Sequence, residues 1–182
     1  TASTHNYLLI FTDKAKLFWL KTYAIPEGSK TSKGRPIQNL ISIEQDDKIR
    51  SIIQVADLNN QDYLNNHFLV MVTKRGIIKK TTLEQYSRPR TNGIIALNIR
   101  EDDQLVKVEM TNGNQQIVIA AKSGRAIHFN ETAVRPMGRT ATGVKAIKLN
   151  DDNDYVIGMV CASEENATLL VVSEKGYGKR SS

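Results

Sequence analysis

A single cysteine in 182 residues excludes an internal disulfide, so the chain must be held together without covalent staples. Cys161 closes the apolar stretch Val156-Ile157-Gly158-Met159-Val160-Cys161, which predicts a buried structural thiol in a reducing cytoplasm. Histidine is almost as scarce: His5, His67 and His128 are far apart and, with one cysteine, give no metal-ligand spacing. No apolar run approaches the roughly 18 residues that cross a bilayer, and Thr1-Ala2-Ser3-Thr4-His5 lacks both regions of a signal peptide. A soluble, unexported protein with no membrane partner is expected. Helical periodicity is missing as well, because the best stretches, Thr82-Leu83-Glu84-Gln85-Tyr86 and Glu131-Thr132-Ala133-Val134, last one turn before Pro89 and Pro136. Nothing matches a nucleotide-binding loop, since Gly176-Tyr177-Gly178-Lys179 is too short and falls in an expected hairpin. No nucleophile stands out beside a base, so a non-catalytic binding module with no cofactor of its own is predicted.

What the chain has instead is a repeat. Leu8-Leu9-Ile10-Phe11, Leu69-Val70-Met71-Val72, Ile117-Val118-Ile119-Ala120 and Leu169-Leu170-Val171-Val172 are too short for helices and rich in β-favouring residues. Each precedes a polar turn ending at Ala15, Gly76, Gly124 or Gly176, landmarks 61, 48 and 52 positions apart. A second landmark keeps step: Gly34, Gly93 and Gly143 follow the first by 19, 17 and 19 positions. After it an alternating strand is expected at Ile41 and Ile43, Leu97 and Ile99, and Ile147 and Leu149. An acidic turn follows (Asp46-Asp47, Asp102-Asp103, Asp151-Asp152), then a last apolar strand around 49–55, 105–108 and 155–160. Four strands per unit is the content of a propeller blade, so the fold class expected is all-β and propeller-like, with about three four-stranded blades and the start of a fourth. The repeats run over about 7–55, 68–111, 117–162 and, in part, 169–182, one partial domain spanning 1–182. A chain that opens and stops inside repeats is expected to be part of a larger wheel, with exposed edges able to pair between chains.

The formal charge is +6 with a pI near 9.4, and where the charge falls matters more than its total. Between the two landmarks of each unit basic residues accumulate: Lys16, Lys21, Lys30 and Lys33 against Glu27, then Lys79, Lys80, Arg88 and Arg90 against Glu84, then Arg125, Arg135 and Arg139 against Glu131. Any one of these would serve to keep a β-protein soluble. Their recurrence at one phase predicts a basic rim, because equivalent loops of stacked units point the same way, and such a rim suits a track for phosphates. The DNA-contacting set expected is Lys30, Lys33, Arg35, Lys79, Lys80, Arg88, Arg90, Arg125, Arg135, Arg139, Lys145, Lys179 and Arg180. Lys79 and Lys80 occupy a strand, where alternation can turn one of them inward. Aromatics do not interleave with the set, no helix is available for the major groove, and Trp19 in Leu17-Phe18-Trp19-Leu20 reads as core, so backbone binding with little sequence reading is predicted. The paired aspartates have no calcium-loop spacing and read as turn chemistry.

The segments Gly34-Arg35-Pro36-Ile37, Lys79-Lys80-Thr81, Val134-Arg135-Pro136-Met137-Gly138 with Thr142-Gly143-Val144, and Gly176-Tyr177-Gly178-Lys179-Arg180 closely resemble the C-terminal domain of the DNA gyrase A protein, in order and over essentially the whole chain. The corresponding domain of topoisomerase IV is a second resemblance. The resemblance implies a six-bladed β-pinwheel with strands exchanged between adjacent blades, whose basic perimeter wraps double-stranded DNA. It implies as partners the rest of gyrase A and the gyrase B subunit, in a cytoplasmic, nucleoid-associated complex that uses ATP to introduce negative supercoils. The active-site tyrosine and the ATP and Mg sites belong to other parts of that complex. One departure stands out: the glutamine-arginine-arginine-glycine-glycine-lysine-glycine type box of the family's first blade has no match here. The box is expected just before Thr1, and the chain alone is expected to bind and bend DNA weakly without completing a wrap. The competing class is a protein-interaction propeller with no direct DNA contact.

Overall fold

In the computed structural model, which describes residues 2–163 and 167–181, the first three apolar runs become strands, the first two buried on both faces and the third buried on one face and half-buried on the other. β1 (Tyr7–Thr12) pairs antiparallel with β2 (Lys16–Lys21) on one side and β3 (Ile49–Val55) on the other. The next unit repeats this with β4 (Phe68–Thr73) between β5 (Ile77–Thr82) and β7 (Leu105–Thr111), separated in sequence by the two-residue β6 (Ile94–Ile95). The third unit places β8 (Gln116–Ala121) between β9 (Ala126–Asn130) and β11 (Val156–Ala162), with the two-residue β10 (Val144–Lys145) between them in sequence. A last hairpin joins β12 (Leu169–Val172) to β13 (Gly178–Ser181). The fold is all-β, as expected, and each central strand suffers a register shift against its outer partner at the same phase, beside the acidic turn.

The short strands show how the units join. β6 pairs not with its own unit but with β2, Leu17 opposite Ile94, so the first sheet runs β3-β1-β2-β6. β10 likewise pairs with β5, Val144 opposite Ile78, giving β10-β5-β4-β7. The first two blades are therefore each completed by a strand lent from the next repeat, whereas the third sheet has, among the described residues, three strands, β11-β8-β9, rather than the four expected. This corrects the expectation of an alternating strand within each unit: strand pairing stops at residues 95 and 145, and the segments with Leu97 and Ile99 or with Ile147 and Leu149 are irregular. Their period-two burial has another cause. The backbone there is spent on the preceding hairpin turn, with Ala96 N–H donating to Ala15 O and Ala146 N–H to Gly76 O, both at 2.8 Å, so Leu97 and Ile147 are buried without a ladder. In the first unit the strand expected at Ile41 and Ile43 is also absent: both follow a 3₁₀ turn, Ile37–Asn39, and lie in irregular backbone.

Between the first and second blades a core gathers Leu9, Phe11, Leu17, Leu69, Met71, Tyr86, Leu97 and Val108. Between the second and third another gathers Val70, Val72, Ile78, Ile117, Ile119, Val134 and Ile147. β4 thus sends Leu69 and Met71 to one neighbour and Val70 and Val72 to the other, which is why its apolar run is continuous rather than alternating. Trp19 packs beside the first core and donates its indole N–H to Tyr86 O at 2.9 Å, confirming a packing role. Cys161 is half-buried against the second core, and burial, followed by Glu109 and Glu131, pushes its thiol up to about 12. One helix escaped the sequence reading: α1 (Gln61–Asn66), a single turn or so capped by the Asn60 side chain, which accepts from Tyr63 N–H. Among the described residues no helix is long and apolar enough to cross a membrane.

Candidate nucleic-acid interface

The hairpins divide the charges by their two ends. At the turn end, the acidic turns fold back on the hairpins: Asp47 accepts from Lys14 N–H at 3.3 Å, Asp103 from Arg75 N–H at 2.9 Å, and Asp154 from Ser123 N–H at 3.0 Å. All three carboxylates are buried, and the hydrogen bonds from Asn150, Ser123 and Tyr155 outweigh burial to lower the pKa of Asp154. The paired aspartates are turn chemistry in the literal sense. Nearby bases are consumed as well: Lys14 sits 2.9 Å from both Glu44 and Asp46, Lys16 also pairs with Glu44, and Arg75 lies 3.2 Å from Asp102. Hydrogen bonds from Lys16 and Lys14 hold the Glu44 carboxyl down at about 2. The signs cancel locally at this end.

Beyond β5 and β9 the chain makes a 3₁₀ turn, Leu83–Tyr86 or Glu131–Ala133, and returns along the edge of the preceding blade to the second landmark. The return must run close. A methyl group on Gly93 would meet Leu17 O at 2.8 Å, and one on Gly143 would meet Ile78 O at 2.5 Å, with both glycines at positive φ. Held this way, the two return loops put Arg88 and Arg90 of the second repeat beside Arg139 of the third. Together with Glu84, Gln85 and Ile94 they line an open groove of about 310 Å³, and Arg90, Ile94 and Arg139 also line an adjoining hollow of about 440 Å³. Arg139 reaches across by donating from Nη1 to Ile95 O at 2.7 Å. Among the described residues no salt bridge involves Arg88, Arg90, Arg135, Arg139, Lys30, Lys33, Arg35 or Lys145.

The remaining expected residues divide. Lys30, Lys33 and Arg35 are exposed on the long first loop, which lies on no blade; Arg135, Lys145, Lys179 and Arg180 are exposed too. Arg125 is exposed but sits at the hairpin-turn end, donating to Lys148 O at 3.2 Å. Lys79 and Lys80 leave the set, because both are buried. Lys80 faces the second interior, 3.1 Å from the buried Glu131 carboxylate and with its ammonium 4.5 Å from the centre of the Phe68 ring. Lys79 faces the opposite side of the strand and donates to Ala96 O at 2.9 Å and to Arg139 O. Alternation warned of one inward lysine; a strand between two blades turns both inward. Gln85 and Ile94 were not expected at the site and Glu84 only as the loop's lone acid, although the one-turn helical stretch at 82–86 marked where Glu84 and Gln85 lie.

The family model described as DNA gyrase C-terminal domain, beta-propeller, matches residues 6–56, 67–112, 115–163 and 167–182. This chain belongs to that family. The gyrase A protein of Staphylococcus epidermidis is 45% identical over 181 residues, 99% of this chain, and that of Staphylococcus aureus is 45% identical over the same share. The chain spans 20% of the length of those gyrase A relatives. Among solved structures, the C-terminal domain of DNA topoisomerase IV superposes with a TM-score of 0.84 at 28% identity, over 97% of this chain and 53% of that one. The gyrase A C-terminal domain superposes with a TM-score of 0.76 at 27% identity, over 98% and 55%. The gyrase A resemblance read from the motifs therefore holds, and the lent strands β6 and β10 are the exchange between blades that this family's β-pinwheel implies.

Proposed function

We propose that this chain is a non-catalytic, DNA-bending arc of a gyrase A C-terminal domain. Duplex DNA passes over the return loops, where Arg88, Arg90 and Arg139 neutralise phosphates, with Lys30, Lys33, Arg35, Arg135 and Lys145 extending the track. The observation that carries this reading is the groove in which arginines of two successive repeats meet, none of them in a salt bridge among the described residues. Cations arranged so bind by releasing counterions from the phosphate backbone, which gives affinity without base reading. Specificity then comes from how easily a sequence bends. In the parent enzyme, such a bend would present a second DNA segment for ATP-driven strand passage. The rest of gyrase A, together with the gyrase B subunit, supplies that chemistry, with ATP and Mg, at the nucleoid in the cytoplasm.

Salt-titrated binding to duplex DNA tests it. Affinity should fall steeply between low and physiological salt with little sequence preference; absent binding at low salt, or salt-insensitive binding, would overturn the proposal in favour of a protein-interaction propeller. Reversing charge at Arg88 and Arg90 should weaken binding and flatten the salt slope, and so should reversal at Arg135 and Arg139. An effect confined to one loop would break the continuous track.

A further inference from the structure

The most unusual group in the molecule is an ammonium with no carboxylate. Lys79 is fully buried in β5, and among the described residues no salt bridge reaches it. A lone buried charge is costly unless other groups take its hydrogen bonds, and here two backbone carbonyls do. Ala96 O follows β6, the strand that completes the first blade; Arg139 O precedes β10, the strand that completes the second. The Tyr86 hydroxyl donates to the same Ala96 O at 2.9 Å. Counting from the turn landmark, Phe18 holds this position in β2, Ile127 in β9 and Lys179 in β13, where the lysine is exposed, so apolar packing suffices in the first and third units and, of the four, only β5 buries a cation there.

We infer that Lys79 is a positioning residue for the DNA interface, a cationic tie that docks the return loop of the third repeat onto the closing strand of the first blade and so sets Arg139 beside Arg88 and Arg90. Without the tie, Arg139 O loses a buried donor and Ala96 O keeps only Tyr86. The ends of the loop stay anchored to β5 by Met137 N–H to Lys80 O and by β10, but between them the bond from Arg139 Nη1 to Ile95 O is left to dock it on the first blade. The inference rests on the proposed DNA-binding role of those arginines, but the tie can be read without DNA. It also carries a pH signature. Burial, then the nearby Arg139 guanidinium, lowers Lys79 to about 8, and the other ionisable group at the site, the Tyr86 phenol, is pushed up by burial and stays neutral. Docking therefore favours the neutral amine, which keeps donors for both carbonyls, so the loop should be held at least as firmly above pH 8 as below it.

The test is Lys79→Met, close in volume and without charge or donors, compared with the wild-type chain. Amide deuterium uptake over residues 138–143, corrected for intrinsic rates, should rise in the variant at pH 7 while β4 stays protected. Duplex affinity should fall about tenfold, yet the salt slope should not change, because a buried lysine neutralises no phosphate. Wild-type uptake over 138–143, corrected in the same way, should be no higher at pH 9 than at pH 7. Unchanged uptake over 138–143 in the variant would overturn the tie, as would a loss of salt slope like that of Arg139→Ala, or a wild-type loop that loosens as pH rises through 8. Should wild type fail to bind duplex, the DNA-binding proposal falls and the uptake measurement still decides whether Lys79 docks the loop. If Lys79→Met does not fold, Lys79→Gln, too short to reach both carbonyls, is read the same way: a rise in uptake over 138–143 supports the tie and no change refutes it.

Discussion

The first and second hairpins occupy equivalent places in their blades and are built from opposite chemistry. In the first, Phe18 and Trp19 project from β2; in the second, Lys79 and Lys80 hold the same positions in β5. Both pairs do one job, tying their blade to the return segments of the repeats that follow. Phe18 packs where Gly93 passes and Trp19 donates to Tyr86 O, whereas Lys79 and Lys80 reach carbonyls and the Glu131 carboxylate. The turns differ as well. Ala15 takes φ 59 where Gly76 takes 81, and the buried Asp13 and Asp47 face each other where the second unit has Lys74 and Asp103. Register decides which residues must join neighbouring blades, and several side-chain chemistries satisfy it. They differ in what happens when one partner is removed.

The largest effect should come from that asymmetry. Glu131→Ala leaves Lys80 as an uncompensated buried cation and should cost about 3–5 kcal/mol in urea unfolding, while Trp19→Phe, losing one neutral hydrogen bond, should cost about 1 kcal/mol. If the two costs were equal, the charged tie would be no more brittle than the aromatic one. Replacing Lys80 and Glu131 together by Met and Leu should recover most of the loss.

The next effect is an alkaline pH dependence set by the buried lysine of the second hairpin. Lys79 titrates near 8 when folded against 10.5 unfolded, so between those values the unfolded chain binds more protons. Stability must then rise from pH 8 to 10.5, by at most about 3 kcal/mol. Lys79→Met should lack the rise in pH-dependent unfolding, and a parallel rise in the variant would assign it to another group.

At the turns, Gly76→Ala places a methyl 2.9 Å from Ile147 Cγ2 and 3.0 Å from Ile147 O at positive φ, and should lose about 2 kcal/mol of stability by thermal or urea unfolding. Ala15→Gly should stay within about 1 kcal/mol of wild type, since relief of a left-handed alanine is offset by freedom gained in the unfolded chain. A large cost at both would mean that the first turn is as constrained as the second.

The smallest contrast concerns the capping aspartates. Asp103 accepts from both Arg75 and Gln104 N–H, and Asp103→Ala should cost about 1–2 kcal/mol. Asp47 is different: burial and the adjoining Asp13 raise its pKa, so the stability tied to its proton is present in acid and lost as pH rises through its folded value. Asp47→Asn should therefore be neutral or stabilising at pH 7 and should flatten the acid limb of unfolding measured between pH 3 and 7. A marked loss at pH 7 would show that the first cap works like the second.

Much of this protein was legible in its sequence because the repeat is written locally. Short β-rich runs, turn landmarks kept in step and aspartates at one phase depend on neighbouring residues, and they yield the strands, the blades and the family without coordinates. The sequence determined as well that arginines accumulate between the landmarks. Tertiary structure decided the rest, and in each case the reason is distance along the chain. Strands β6 and β10 are two residues long and acquire meaning only opposite β2 and β5 of the preceding repeat. The segments at Leu97 and Ile147 alternate like strands, yet they bond to a neighbour's turn. Lys79 and Lys80 look like surface charge until the blades on either side bury both faces of β5. The meeting of Arg139 with Arg88 and Arg90 needs a carbonyl sixty positions from the lysine that holds it. Local periodicity can say that a residue belongs to a strand, but what its side chain meets is set by the stacking of units that the sequence places far apart.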